Sequence, residues 1–357
     1  MQKFKILGTM SGTSFDGVDL AFIETDGEQI FELGNYRLYE YPESIKQTLK
    51  CQNLSIKELL CLEKEISEFY VKAIIDYKIQ EKREIDLIGF HGQTIIHIPR
   101  DSLTLQIGNP SLIAAKTKIG VIADLRRFDM ALGGQGAPIV PVYHKALFKK
   151  QIKEPFCVLN IGGVANLTYI DDENIIAFDT GPGSALIDDY ILKFFNKPYD
   201  NEGKIARSAG FLNMQIPELT SWLDDEYFYK SYPKSLDREH WHNLVKNTEL
   251  NGESLIAVLT EFTALTIEKA INLLPNKPAR IITCGGGRKN KFMMERIEAL
   301  TSINVENIDS YNLNGDAIEA QAIGFIAARI KNGLEYTYPT TTGVTQPVGG
   351  GAFYQPW

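Results

Sequence analysis

Two strand-like runs joined by a small-residue turn occur twice in this chain, 154 residues apart from Gly8 to Gly162, and this repeat limits the fold most. The first copy reads as a strand over 4–8, a turn over 11–17 and a strand over 18–23. The second reads as a strand over 156–161, the turn Gly162-Gly163 and a strand over 166–170. A third strand-like run follows each pair, at 30–39 and at 175–178, and a helix comes later in both copies. With 357 residues, at a prior of roughly 150 per domain, the expectation is a mixed α/β chain built as two lobes of one duplicated design.

Helix signals support this division. Ser55 and Glu58 form a capping-box pattern, and Leu59, Leu62, Ile66, Phe69 and Ala73 repeat at spacings of three and four. Residues 253–274 are apolar on nearly every face, which predicts a buried helix. Residues 315–331 predict another, with Ala317, Ile318, Ala320, Ile323, Gly324 and Ala327 as a small-residue packing face. Short apolar runs at 85–90, 121–123 and 280–284 read as further strands, and 337–357 reads as an irregular tail.

Charge narrows the functional classes. Thirty-seven Lys and Arg against 45 Asp and Glu give a net charge of −8, unfavourable for nucleic acid or anionic membranes. A small anionic ligand remains compatible, because backbone N–H groups hold phosphate without net positive charge. Cys51, Cys61, Cys157 and Cys284 show no C-x-x-C spacing and are expected as free thiols. The first residues enter a strand, and no run approaches ~18 apolar residues, so the expected location is the cytoplasm.

The run Gly8 to Asp19 carries the strongest local signal. Small and hydroxylated residues between two strands let amides approach a phosphate; a polar hairpin loop is the competing reading. Neither a Walker A loop nor a G-x-G-x-x-G motif is present. Gly162-Gly163 and Gly285-Gly286-Gly287 are further glycine turns at strand ends, and three such turns together suit a nucleotide better than any one alone. Asp179-Thr180-Gly181 copies the aspartic-protease tripeptide, but that chemistry needs two carboxylates sharing a proton and the chain has one copy. A lone Asp beside glycines is then a general base or a turn residue. His91 and Arg126 are candidates for a polar or acidic ligand, each against a structural default. The periodicity leaves Glu319 on either face of its helix.

In combination these blocks resemble the anhydro-N-acetylmuramic acid kinase family. The resemblance rests on the run from Gly8 to Asp19, on Gly89-Phe90-His91-Gly92-Gln93-Thr94, on Ala123-Asp124-Leu125-Arg126 and on Met130-Ala131-Leu132-Gly133-Gly134-Gln135-Gly136-Ala137-Pro138. It continues through Leu159-Asn160-Ile161-Gly162-Gly163-Val164-Ala165-Asn166, Phe178-Asp179-Thr180-Gly181-Pro182-Gly183 and Cys284-Gly285-Gly286-Gly287. Phe90 replaces an expected small residue, Ser184 an expected Asn.

The resemblance implies two duplicated actin/ribonuclease-H-like lobes with an interlobe ATP cleft. Their expected limits are 1–130, with the tail 335–357 returning to that lobe, and 131–334. It also implies an ATP-dependent kinase that opens 1,6-anhydro-N-acetylmuramic acid with water and phosphorylates O6, in cell-wall recycling. Gly12, Thr13, Ser14, Phe15, Asp16, Gly17, Val18 and Asp19 would then bind ATP phosphates. Asp16 would hold Mg²⁺ directly or through water. Gly162 and Gly163 would take phosphate, and Gly285, Gly286 and Gly287 the adenosine. Asp179 would be the catalytic base, with His91, Gln93, Arg126 and Glu319 lining the sugar pocket. The partner would be a small amino sugar, with a homodimer left open. A heat-shock or actin-type ATPase switch, or a kinase of another sugar, is the alternative, since fold alone does not set function.

Overall fold

The computed structural model describes every residue except 13, 14, 52, 173, 211–215, 236, 237 and 357. It divides into two compact units, residues 1–148 with 316–357, and residues 149–315. The expected limits of 130 and 335 shift because the helices Pro141–Phe148 and Ile318–Lys331 are part of the first unit.

In the first unit, β1 (Phe4–Ser11), β2 (Gly17–Thr25) and β3 (Ile30–Glu40) form an antiparallel meander. β4 (Leu87–Ile98) returns parallel to β1 and pairs at its far end with β5 (Leu103–Ile107). β6 (Gly120–Ala123) lies parallel to β4, and the tail strand Ala352–Tyr354 closes the edge antiparallel to β6. One face is covered by the helix Ile56–Glu81, whose capping box forms as expected and whose Leu62, Ile66, Tyr70, Ile74 and Tyr77 are buried. The helix Ile318–Lys331 packs against β1 and β4 so closely that a Cβ on Gly8 would lie 1.8 Å from the Ala320 carbonyl oxygen. A Cβ on Gly89 would lie 2.7 Å from that of Ile323. The small-residue face read from the sequence makes this approach possible.

The second unit repeats the plan. β7 (Phe156–Ile161), β8 (Val164–Asp171) and β9 (Asn174–Pro182) form the meander. β10 (Arg280–Cys284) lies parallel to β7, and β11 (Asn304–Asn307) parallel to β10. The helix Gly252–Ile271 is buried along most of its length, as its all-round apolarity predicts, and packs with the helix Lys291–Thr301. The orders β3-β2-β1-β4-β6 and β9-β8-β7-β10-β11 therefore correspond, with β5 and the tail strand as additions to the first and only β2 and β8 reversed among those five. This is the actin/ribonuclease-H-like design, present twice.

Cys157 and Cys284 are buried free thiols, whereas Cys51 and Cys61 are exposed. Among the described residues no helix is long and apolar enough to cross a membrane.

Candidate functional site

In the first unit the turn after β1 is anchored from several sides. The Gln93 Nε2 donates to the Gly12 carbonyl at 3.0 Å, and the Tyr41 backbone N–H donates to that of Asp16 at 2.9 Å. Phe15 has φ 60, a left-handed conformation that turns the chain. Thr13 and Ser14 lie outside the described residues. Gly17 and Val18 serve the fold. A Cβ at Gly17 would lie 2.2 Å from the Tyr39 carbonyl oxygen, and Val18 is fully buried in the core. Their side-chain positions are thus unavailable to a nucleotide.

Asp16 is exposed, while Asp19 is half-buried and accepts a 2.6 Å hydrogen bond from the Tyr36 hydroxyl. Burial, reinforced by the nearby carboxylates of Glu319, Asp316 and Asp16, pushes Asp19 up to about 7. Glu319, expected in the sugar pocket, thus belongs to an acidic group beside β2. Among the described residues no group of three or more His, Cys, Asp or Glu is arranged to hold a metal ion by itself.

His91 and Arg126 are brought together. Asp124 takes φ 61 just after β6, and Arg126 reaches His91 from this turn. Its Nε and Nη2 lie 3.1 and 2.9 Å from His91 Nε2, and its Nη1 donates to the Gly136 carbonyl at 2.6 Å. His91 Nδ1 donates to the Gly92 carbonyl at 2.9 Å, so the Nε2 lone pair is what faces the guanidinium. Burial, with Arg126 adding to it, drives His91 down to about 3, so the ring is neutral at physiological pH. Only 5 % of His91 is exposed, so it supports Arg126 from behind. Gln93, fully buried, spends its amide N–H groups on the Gly12 and Thr94 carbonyls. The loop 133–136 is fixed by buried Asp129, which accepts from Gly136 N–H at 2.7 Å and from the Thr342 hydroxyl at 2.6 Å. Phe90 fits because Gly108 has no side chain: a Cβ there would lie 2.5 Å from the ring.

In the second unit Asp179 stands on the edge strand β9, at a bulge where Thr180 has no partner between the pairs Asn166–Asp179 and Ala165–Gly181. Bulges re-aim side chains and recur beside active sites. The outer edge of β9 is bracketed by a distant segment. Asp179 N–H donates to the Lys234 carbonyl at 2.9 Å, and the Tyr227 hydroxyl donates to the Asp179 carbonyl at 2.7 Å. Lys234 Nζ then donates to the Tyr227 carbonyl at 3.0 Å. Burial lowers the Lys234 ammonium to about 8 and raises the Tyr227 hydroxyl.

The glycine turns of this unit differ in purpose. The Gly162 and Gly163 carbonyls accept from Ser184 N–H at 2.8 Å and Gly183 N–H at 3.0 Å, tying the first turn to the start of the helix Ala185–Phe195. A Cβ on Gly286 would meet nothing within 4 Å, so its face is open. Gly285 has φ 74, and a Cβ there would lie 2.3 Å from Asn160 Oδ1; one on Gly287 would lie 2.3 Å from Ile161 Cγ2. Gly285 and Gly287 are therefore packing glycines that present Gly286.

Sequence reasoning missed Tyr227, Lys234 and Asp129. Tyr227 sits in a single 3₁₀ turn, Glu226–Tyr229, and Lys234 in the loop after it, both too short for a periodic signal, and Asp129 has no neighbouring motif that marks it as buried.

Two units of one duplicated topology, each with a glycine turn at a strand end, define the fold class, and the relatives give the kind of protein: a kinase. A family model described as anhydro-N-acetylmuramic acid kinase matches residues 4–356. The anhydro-N-acetylmuramic acid kinase of Bradyrhizobium diazoefficiens is 42 % identical over 98 % of this chain and 99 % of its own. That of Rhodopseudomonas palustris strain CGA009 is 41 % identical over the same shares, and that of Rhizorhabdus wittichii 37 % over the whole of both chains. The chain belongs to the anhydro-N-acetylmuramic acid kinase family, and it is a kinase that uses ATP.

Proposed function

We propose that this kinase transfers the γ-phosphoryl group of ATP to O6 of 1,6-anhydro-N-acetylmuramic acid while water opens the anhydro bridge at C1. The products are N-acetylmuramic acid 6-phosphate and ADP, a step of cell-wall recycling in the cytoplasm. The observation that carries this reading is the presentation of Asp179: a carboxylate at a strand bulge, with its backbone bracketed by Tyr227 and Lys234. A general base needs fixed geometry before it needs a tuned pKa.

Asp179 takes a proton from water, and the water oxygen bonds C1. The C1–O6 electron pair goes to O6, which accepts the γ-phosphoryl group as the bond to ADP breaks. Amides of the turns at Gly12–Asp16 and Gly162-Gly163 bind phosphate, and the open face of Gly286 accommodates the nucleoside. Arg126, held by neutral His91 and the Gly136 carbonyl, offers its planar cation to the substrate carboxylate. Gln93 holds the Gly12 turn.

The acidic group suits Mg²⁺, which takes one or two carboxylates and fills its shell with phosphate and water. Asp16 would hold it, with Asp19 behind. When bound, the ion supplies neutralisation of phosphate charge.

Turnover in ¹⁸O-water decides between this reading and an ATPase switch. The proposed reaction puts solvent oxygen on C1 and none in phosphate. Label in inorganic phosphate, released at a rate indifferent to sugar, overturns it.

A further inference from the structure

The bulge in β9 places a second polar side chain beside the base. Asn166 on β8 is the direct cross-strand partner of Asp179, and Asn160 on β7 is in turn the partner of Asn166. Opposed residues of an antiparallel pair share a face. Here that face is opposite the core built from Leu159, Ile161, Leu167 and Phe178. A polar row thus crosses three strands of a sheet that is otherwise largely apolar.

The members of this row are not equally engaged. Cys284 on β10 donates through its Sγ to Asn160 Oδ1 at 3.7 Å. Asn166 Oδ1 is removed from solvent and receives no hydrogen bond from any described residue. A buried acceptor without a donor is uncommon and calls for an explanation, since its desolvation is uncompensated. This one stands next to the carboxylate assigned as base.

We propose that Asn166 is a second catalytic residue, whose side-chain carbonyl accepts the other hydrogen of the water that Asp179 deprotonates. This rests on the base reading of Asp179. A water bound through one hydrogen still swings about that bond. Two acceptors on adjacent strands hold both hydrogens and leave a lone pair aimed away from the sheet. One proton passes to the Asp179 carboxylate, and the O–H that remains becomes the C1 hydroxyl of the product, still donating to Asn166. The C1–O6 bond breaks with its electron pair on O6, which takes the γ-phosphoryl group as the bond to ADP breaks. Asp179 then releases its proton to solvent.

Steady-state kinetics of Asn166→Ala, Asn166→Asp and Asp179→Asn across pH test this. Loss of orientation should lower kcat of Asn166→Ala by ~10²-fold, with KM for sugar and ATP within about threefold. The acid limb of its kcat profile should persist, because the base remains. Asn166→Asp sets a like charge beside Asp179 and should move that limb up by about one pH unit. That shift reads only how close the two side chains are, whereas kcat of Asn166→Ala reads the role. Wild-type kcat in Asn166→Ala, or a raised sugar KM with kcat intact, overturns the proposal while leaving Asp179 as base. Unchanged kcat in Asp179→Asn overturns the base reading itself. Should Asn166→Ala not fold, Asn166→Ser takes its place, and wild-type kcat in that variant overturns the proposal.

Discussion

At Gly286 an added side chain would enter open space, whereas at Gly285 it would strike Asn160 and the Ile161 backbone in a left-handed conformation. The two glycines therefore fail differently. Gly286→Val should fold with little change in Tm yet bind ATP ~10-fold more weakly by calorimetry, because the branched side chain fills space the nucleoside needs. Gly285→Ala should lose about 2 kcal/mol or more of stability. Unchanged ATP affinity in folded Gly286→Val would mark that turn as structural only. Asp19 makes a prediction of opposite kind. Its folded pKa of about 7 lies above the ordinary value of 3.8. Its stabilising contribution is therefore full below 3.8 and lost as pH rises toward 7. Asp19→Asn should remove that loss, so the variant gains Tm over wild type at pH 8 relative to pH 5. At ~2–4 °C per kcal/mol for units of this size the difference spans several degrees; equal differences at both pH values would show that Asp19 is not buried as described.

At the scale of elements, the strands over 156–161 and 280–284 and the Ser55 cap were legible because their signals are local: an apolar run, or two side chains three residues apart. The hairpin of β4 and β5 was not. Ile96, Leu103 and Leu105 are exposed there, so the usual link between apolarity and burial fails. The tail strand has three residues, too few for any period to register. In the site, glycine turns and Asp179 could be picked out by residue type, but the bracket around Asp179 comes from Tyr227, 48 residues away in sequence. Val18 shows the reverse relation: it sits within a ligand-like motif, yet alternation along β2 turns its side chain into the core. The contact between helix Ile318–Lys331 and β1 gives this scale its own test. Gly8→Ala would drive a Cβ into the Ala320 backbone, which no rotamer change relieves. A loss of about 3 kcal/mol is expected in urea unfolding, and a loss under 0.5 kcal/mol would mean that the helix moves away freely.

For the whole molecule, titratable groups are divided unevenly between the two units. His91, His97 and His144 all belong to the first unit, and burial lowers each to about 3, with Arg126 adding to the effect at His91 and His97. In the second unit His240 and His242 pair instead with Asp225 and Asp189. For the first three the folded pKa lies below the ordinary value of 6.5. Their stabilising contribution is present above 6.5 and is lost as pH falls toward 3, where the unfolded chain binds protons that the folded one refuses. Asp19 opposes them, because its contribution grows as pH falls from about 7 to 3.8. Among these four groups, three take up a proton on unfolding and one gives a proton up, a net excess of two for the unfolded chain from them alone. At about 1.4 kcal/mol per proton per pH unit, the stability of the first unit should fall by roughly 3 kcal/mol per unit between pH 6 and 4. Scanning calorimetry should then show the transition of the first unit moving down in temperature on acidification faster than that of the second. His97→Gln removes one titrating group and should flatten the slope by about 1.4 kcal/mol per pH unit. If the variant keeps the wild-type slope, or if both transitions shift in parallel, the buried histidines do not set the acid limit of this fold.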